Sequence, residues 1–289
     1  MYNTMQELLQ LCEKKKAPLW KTILENEVNI KGCTKEEVWR ELESRFDVMV
    51  QSAKTAREKP LFTAGNLISG VAYTQQKHAE KKETICGGLI NQVMAYALSC
   101  SEVNAAMGKI CAAPTAGACG IVPAVLLGFA EGKNLGHTVI LQGLMTASGI
   151  GAIIMKNATV SGAKGGCQAE CGVAAAMAAA AAVEMSGGTP AQSMHACSLA
   201  LMNVMGLVCD PVAGLVQVPC AQRNASQAVN ALLSADLALG GMESIIPTDQ
   251  VVEAMYRVGK LLPYQLKETA LGGLAQTERG RELFDELLK

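Results

Sequence analysis

Gly165-Gly166-Cys167-Gln168-Ala169-Glu170-Cys171-Gly172 opens the stretch around which this chain is organised. Cys209-Asp210-Pro211-Val212-Ala213-Gly214-Leu215-Val216-Gln217-Val218-Pro219-Cys220-Ala221-Gln222-Arg223-Asn224 closes it. Between the two, Val173 to Glu184 is nearly all alanine, the strongest helix former. Gly187-Gly188 stop that helix, and Thr189-Pro190-Ala191-Gln192 starts another with a hydroxyl cap, proline at the first helical position and glutamine at the third. The flanking cysteines stand close to Gly or Pro, at breaks between elements where a side chain can point into a cavity. One reading is a set of helix ends gathered around a centre that needs thiolates. The other is that these cysteines are small buried hydrophobes.

Working outward, the pattern stays helical. Thr4-Met5-Gln6-Glu7 and Thr34-Lys35-Glu36-Glu37 are capping-box sequences. Met5, Leu8, Leu9 and Cys12 share one helical face, and Val38, Leu42, Phe46, Met49 and Ala53 form a stripe. Pro18 can start a helix. Ile85 to Met107, Gly136 to Lys156, the run after Asn224 to about Leu239, and the run after Ile246-Pro247-Thr248-Asp249 all read as helix. No strand-type alternation persists and no βαβ unit or phosphate loop is visible. The expected fold is all-α, with an N-terminal helical arm over 1–60 and a catalytic body over 61–289.

Half of the 289 residues are hydrophobic but only 4% are aromatic, so the core must be built from small and aliphatic side chains on closely packed helices. The net charge of −1 and the absence of a basic stripe make nucleic acid an unexpected partner. Ile110 to Ala130 and Met185 to Cys209 carry no charge and are long enough to span a bilayer. Their prolines, glycines and polar residues, with no flanking Lys/Arg cluster or aromatic belt, favour buried core helices and no membrane contact. Met1 to Lys16 reads as an amphipathic helix, not a secretion leader, so a cytoplasmic, reducing location is expected. There, eleven cysteines point to metal or catalysis before disulfides, although most of them are expected to be packing.

Two further segments can carry chemistry. In Cys111-Ala112-Ala113-Pro114-Thr115-Ala116-Gly117-Ala118-Cys119-Gly120, Thr115 can cap and the glycines expose backbone amides that suit a carboxylate. A tight helix connection explains the same residues equally well. Cys167 and Cys171 are four apart and share a helix face, near a helix start whose partial positive charge favours thiolate. The spacing of Cys209 and Cys220 fits neither a zinc knuckle nor a ferredoxin-type run, so spacing leaves metal and packing both open.

Ala113-Pro114-Thr115-Ala116-Gly117, Gly120-Ile121-Val122-Pro123-Ala124, Gly166-Cys167-Gln168-Ala169-Glu170, and Gly206 through Cys220 with Arg223-Asn224-Ala225 resemble the motifs of the iron–sulfur L-serine dehydratases. More closely, the chain resembles the α chain of the two-subunit form. The similarity runs from about Glu102 to the C-terminus and includes Glu268-Thr269-Ala270 and Gly272-Gly273-Leu274-Ala275. It implies that Cys167, Cys209 and Cys220 hold a 4Fe–4S cluster, whereas Cys171 matches no ligand position and is left to packing. Because the sequence ends Leu283-Phe284-Asp285-Glu286-Leu287-Leu288-Lys289 without a cysteine, the fourth iron is expected to be open. That iron would act as a Lewis acid while L-serine loses water to aminoacrylate, which hydrolyses to pyruvate and ammonia; no pyridoxal phosphate is needed.

Substrate binding is expected at Thr115, Ala116, Gly117, Arg223 and Asn224. The base is not visible in the chain. His137 and His195 fall in apolar helical runs and read as structural, His78 lies in the charged Lys77–Glu83 segment, and Lys164 would need strong desolvation. The resemblance therefore implies a β chain as partner, supplying the base. One departure concerns Ala64-Gly65-Asn66-Leu67-Ile68-Ser69-Gly70-Val71-Ala72, where the family commonly carries an acidic residue and one more glycine. If that loop touches substrate, L-cysteine desulfidation or L-threonine dehydration are the neighbouring activities. The reading of a different class is a non-catalytic, metal-binding helical subunit.

Overall fold

The computed structural model describes residues 1–81 and 83–288; Lys82, in the charged segment, and the terminal Lys289 lie outside the described residues. Among the described residues there are thirteen α-helices and no strand. The only pairing of extended chain among these described residues is an isolated bridge between Cys209 and Lys267. The expected all-α fold is the one observed.

Three amphipathic helices come first: α1 (Met5–Lys15), α2 (Leu19–Lys31) and α3 (Lys35–Glu58). Thr34 and Glu37 close the capping box of α3 as expected. At α1 the Thr4 hydroxyl accepts from Glu7 N, but the Glu7 carboxylate receives Asn3 N instead of the cap residue's own amide. Met5, Leu8, Leu19, Ile23, Phe46 and Met49 of these helices belong to the same hydrophobic cluster as the body.

The body consists of α4 (Val71–Ala79), α5 (Gly87–Ala105), α6 (Ile121–Lys133), α7 (His137–Asn157), α8 (Gly162–Gly165), α9 (Val173–Met185), α10 (Pro190–Met202), α11 (Cys220–Leu239), α12 (Thr248–Leu261) and α13 (Glu278–Leu288). The alanine-rich α9 is its axle, with α6, α7, α10 and α11 packed around it. Alanine makes this possible: its small side chain lets four neighbours approach, and every residue of α9 but Glu184 is buried. On α7, a Cβ at Gly151 would stand 2.8 Å from Met177 Cε of α9, so a larger residue there would have to displace the end of that side chain. Thr189 and Gln192 form the predicted capping box of α10, with Pro190 at its first turn.

Two helical stretches, Ala116–Lys133 and His137–Asn157, are long and apolar enough to cross a membrane; 67% and 61% of them are buried inside the protein. Met185 to Cys209 is no continuous helix, because Gly187-Gly188 break it and α10 ends at Met202.

Candidate active site

Cys167 begins the site. It precedes a single π-helical turn, Gln168–Gly172, which runs directly into α9. Gln168, fully buried, explains the placement of that turn. Its amide nitrogen donates to Gly165 O (2.9 Å) and to Met255 O of α12 (3.1 Å), while its side-chain oxygen accepts from Gly206 N (2.8 Å). The backbone of Gln168 also donates to Leu207 O at 3.1 Å. One glutamine thus ties the Cys167 turn to the segment leading into Cys209. Cys209 is held from the other side, its amide donating to Leu266 O (2.9 Å) and its carbonyl accepting from Glu268 N (2.7 Å). Cys220 is the first residue of α11.

Arg223 and Asn224, one turn further along α11, fasten these pieces together. Arg223 donates to Val208 O and to Asp210 Oδ1, both at 2.8 Å, and Asp210 Oδ2 accepts from Leu274 N. Arg223 is the only Lys or Arg between Lys164 and Arg257, and Asp210 the only acid between Glu184 and Asp236. Lone charges in long apolar runs find each other when buried, because an unpaired charge in the core is costly. Asn224 Oδ1 accepts from Gly120 N (2.8 Å), and its Nδ2 donates to Gly117 O (2.7 Å) and Cys220 O (2.9 Å). Both ends of the Asn224 amide are therefore engaged with protein, binding the Thr115–Gly120 turn to the start of α11.

Thr115 does not cap. Its side chain makes no cap hydrogen bond, and its Oγ1 is buried without a partner, although it approaches the Glu170 carboxyl. Ala116 beside it is exposed, and Gly117 is half-buried with its Cα hydrogens turned toward Glu170; a Cβ there would lie 3.4 Å from both carboxyl oxygens. The turn that the sequence marked for a carboxylate thus opens to solvent on one side and faces Glu170 on the other.

The thiols and Glu170 share one electrostatic problem. Cys171 Sγ lies 3.4 Å from Cys167 Sγ, and Glu170 Oε2 lies 3.9 Å from Cys209 Sγ. The Cys167 thiol is held well below the ordinary range by its hydrogen bonds with Cys171 and Cys209, with the Arg223 charge adding to it. Cys171 and Cys209 are pushed up in turn, first by their hydrogen bonds with Cys167 and then by burial. Cys220 is pushed up to about 12 by burial and by the Cys167 charge. Glu170 is raised to about 7 by burial and then by the same charge. Burial opposes the Arg223 charge, but Cys167 and Asp210 outweigh it and raise its pKa. Cys167 is the sulfur on which the neighbouring thiols, Arg223 and Glu170 converge.

Among the described residues no three His, Cys, Asp or Glu side chains converge closely enough to hold a single metal ion. A single ion needs all donors about 2.0–2.3 Å from one point. A cubane cluster takes each thiolate on a different iron, so its ligands must stand further apart. Cys167, Cys209 and Cys220, on three separate element ends and within electrostatic reach of Cys167, offer a donor set of that kind. The buried Thr115 hydroxyl, with no hydrogen-bond partner of normal geometry and only the Glu170 carboxyl near it, is a polar group that a ligand could satisfy. The residues present fit such a cluster.

The histidines are elsewhere. His137, expected in an apolar run, is exposed at the start of α7 and pairs with Glu43 at 3.0 Å, because the first turn of that helix reaches solvent. His195 Nδ1 accepts from Ser244 N (3.1 Å), and His78 and Lys164 are exposed. Two acids carry roles that the sequence reading did not assign. Glu170 is the only acid between Lys164 and Glu184, and Glu102 the only charged residue between Glu83 and Lys109. Isolation within an uncharged run was the available signal. Glu102, fully buried, receives the amides of Leu61 (2.7 Å), Gly70 (2.9 Å) and Ala72 (3.1 Å) and so fixes the 61–72 loop. Gln217 Nε2 donates to Ala64 O (3.0 Å), linking that loop to the Cys209–Cys220 segment.

Fold and site together define an all-helical protein with a buried thiol centre, accompanied by a buried carboxyl and an amide-lined turn. The family model described as serine dehydratase alpha chain matches residues 14–275. The L-serine dehydratase alpha chain of Peptoniphilus asaccharolyticus is 47% identical over 289 residues, covering 100% of this chain and 99% of that one. The probable L-serine dehydratase alpha chain of Bacillus subtilis is 43% identical, with 98% of this chain and 94% of that one covered. L-serine dehydratase 2 of Escherichia coli is 36% identical across 95% of this chain, which spans 61% of that longer protein. The chain belongs to the serine dehydratase alpha chain family.

Proposed function

We propose that this chain is the alpha subunit of an L-serine dehydratase, a lyase that converts L-serine to pyruvate and ammonia, and that Cys167, Cys209 and Cys220 hold a 4Fe–4S cluster. Near-full-length similarity to alpha chains named for that activity supports the substrate. The observation that carries the site is the gathering of Cys167, Cys209 and Cys220 with Glu170 and the unpartnered Thr115 hydroxyl. When bound, the cluster supplies a Lewis-acidic iron that stabilises the departing hydroxyl of serine.

The chain's own residues bind and orient. The Thr115–Gly117 turn offers backbone amides and a free hydroxyl to the substrate carboxylate, at the edge where Ala116 meets solvent. Asn224 holds that turn at a fixed distance from Cys220. Arg223 keeps positive charge beside Cys167 and so favours the thiolate a metal requires. Loss of the α-proton and of hydroxide gives aminoacrylate, which hydrolyses to pyruvate and ammonia. The base is assigned to a β chain, because none of the three histidines is placed among the cysteines. A cytoplasmic α–β heterodimer is the working assembly.

The test is anaerobic. The chain is reconstituted with iron and sulfide, with and without its β chain, and the 2-oxo acid product is assayed in parallel arms, pyruvate from L-serine and L-cysteine and 2-oxobutyrate from L-threonine. Pyruvate from L-serine only with both chains, lost in air, is expected. Cys167→Ser, Cys209→Ser and Cys220→Ser should each lose iron, while Cys197→Ser, buried in α10, should keep it. Full iron content in all three ligand variants would refute the cluster assignment, and turnover of none of the three substrates would refute the activity.

A further inference from the structure

Cys171 has no part in the proposed reaction, yet it is placed against Cys167. The two sulfurs are 3.4 Å apart, both residues are buried, and between α8 and α9 Cys167 caps the π-helical turn on which Cys171 lies. We infer that Cys167 and Cys171 are a redox pair that closes to a disulfide when the chain is without its cluster and faces a peroxide. The effect on cluster loading rests on Cys167 being a ligand; the disulfide itself does not.

Two observations support closure. A disulfide needs the sulfurs at about 2.05 Å, so the pair must approach by about 1.4 Å, shared between two side chains. The turn carrying them is flanked by Gly165-Gly166 on one side and Gly172 on the other, and Gly166 already adopts φ +76°. Glycine tolerates the backbone adjustment that the closure asks for. Moreover the two sulfurs already face each other in hydrogen-bond contact, so neither side chain has to swing out of another packing position to meet its partner.

The chemistry balances with hydrogen peroxide as oxidant. The Cys167 sulfur attacks one peroxide oxygen, the O–O bond breaks and hydroxide leaves, giving a sulfenic acid. The Cys171 sulfur attacks the Cys167 sulfur, the S–O bond breaks, and water leaves with the Cys171 proton. Two thiols lose two electrons and one peroxide becomes two waters. A dithiol such as dithiothreitol reverses the step by exchange. The disulfide would occupy Cys167, block cluster loading, and protect that sulfur from irreversible sulfinic and sulfonic acids until reductant returns.

The sequence permits an unambiguous assay. Cleavage after glutamate leaves Cys167 as the only cysteine of peptide 132–170 and Cys171 as the only one of 171–184, while Cys197, Cys209 and Cys220 fall together in 185–243. The full-length chain is purified anaerobically, stripped of iron with a chelator, treated with hydrogen peroxide, and mapped without reduction. A link between 132–170 and 171–184, two hydrogens lighter than the separate peptides, is expected. Cluster reconstitution should be lost after peroxide and restored by dithiothreitol. Cys171→Ala, treated alike, should lose reconstitution without recovery. A link from 132–170 to 185–243, or none to 171–184, would overturn the pair. The expected link with reconstitution unimpaired would keep the pair and remove Cys167 from the ligand set.

Discussion

Asn224 offers the sharpest test of how the site is held, because two substitutions of it should rank against intuition. Its amide serves three backbone groups from one buried position, accepting from Gly120 N and donating to Gly117 O and Cys220 O. Asn224→Ala leaves Gly120 N–H and Gly117 O buried without partners, at about 1–3 kcal/mol each. Cys220 O lies in the first turn of α11, where a helical amide can still serve it. The expected loss is about 3 kcal/mol, which for a chain of this size lowers Tm by roughly 5–10 °C. Asn224→Asp is nearly isosteric but should be worse at neutral pH. It keeps the bond from Gly120 and turns a double donor into an oxygen facing two carbonyl oxygens, with a buried charge added. Burial raises such a carboxyl above its unfolded value, so its ionised form weakens the fold. The penalty is therefore present at neutral pH and relieved on acidification, when the protonated acid can donate to one carbonyl. Urea unfolding of wild type, Asn224→Ala and Asn224→Asp at neutral and mildly acidic pH measures all of this. An Asp variant as stable as wild type at neutral pH, or an Ala variant within about 0.5 kcal/mol of it, would refute the bridging role.

Two other perturbations separate stability from binding. Glu102→Ala should cost about 4–6 kcal/mol, because three amides of the 61–72 loop lose a shared charged acceptor, and hydrogen exchange at Leu61, Gly70 and Ala72 should accelerate together; exchange unchanged at these sites would refute it. Thr115→Val removes a buried hydroxyl that has no partner, so Tm should hold or rise while KM for L-serine rises; a lower Tm with KM unchanged would show the hydroxyl to be structural.

Much of the fold was legible because its determinants are local. The capping boxes at Thr34 and Thr189, Pro18 and Pro190 at helix starts, and the glycine stop at Gly187-Gly188 all act within a turn or two. The Thr115 cap failed for the opposite reason. A hydroxyl three residues from a helix amide is a local option, and here the turn that follows is too short and too tightly held by Asn224 to use it. His137 failed likewise, since an apolar neighbourhood in sequence does not say which end of a helix reaches solvent.

By itself, the sequence determined an all-helical chain with an alanine axle, cysteines at element breaks, and a motif set that places it beside the serine dehydratase alpha chains. Helix periodicity, caps and breakers are read over a few residues, so one dimension suffices for them. Only the tertiary structure decided which isolated charges meet. It buried Glu170 against the thiols, joined Arg223 to Asp210, wrapped the 61–72 loop around Glu102, and brought Cys209 to Cys167 across some forty residues of chain. Burial and proximity depend on how the helices pack. Electrostatics in a core is set by those two quantities, and neither is written in the local pattern.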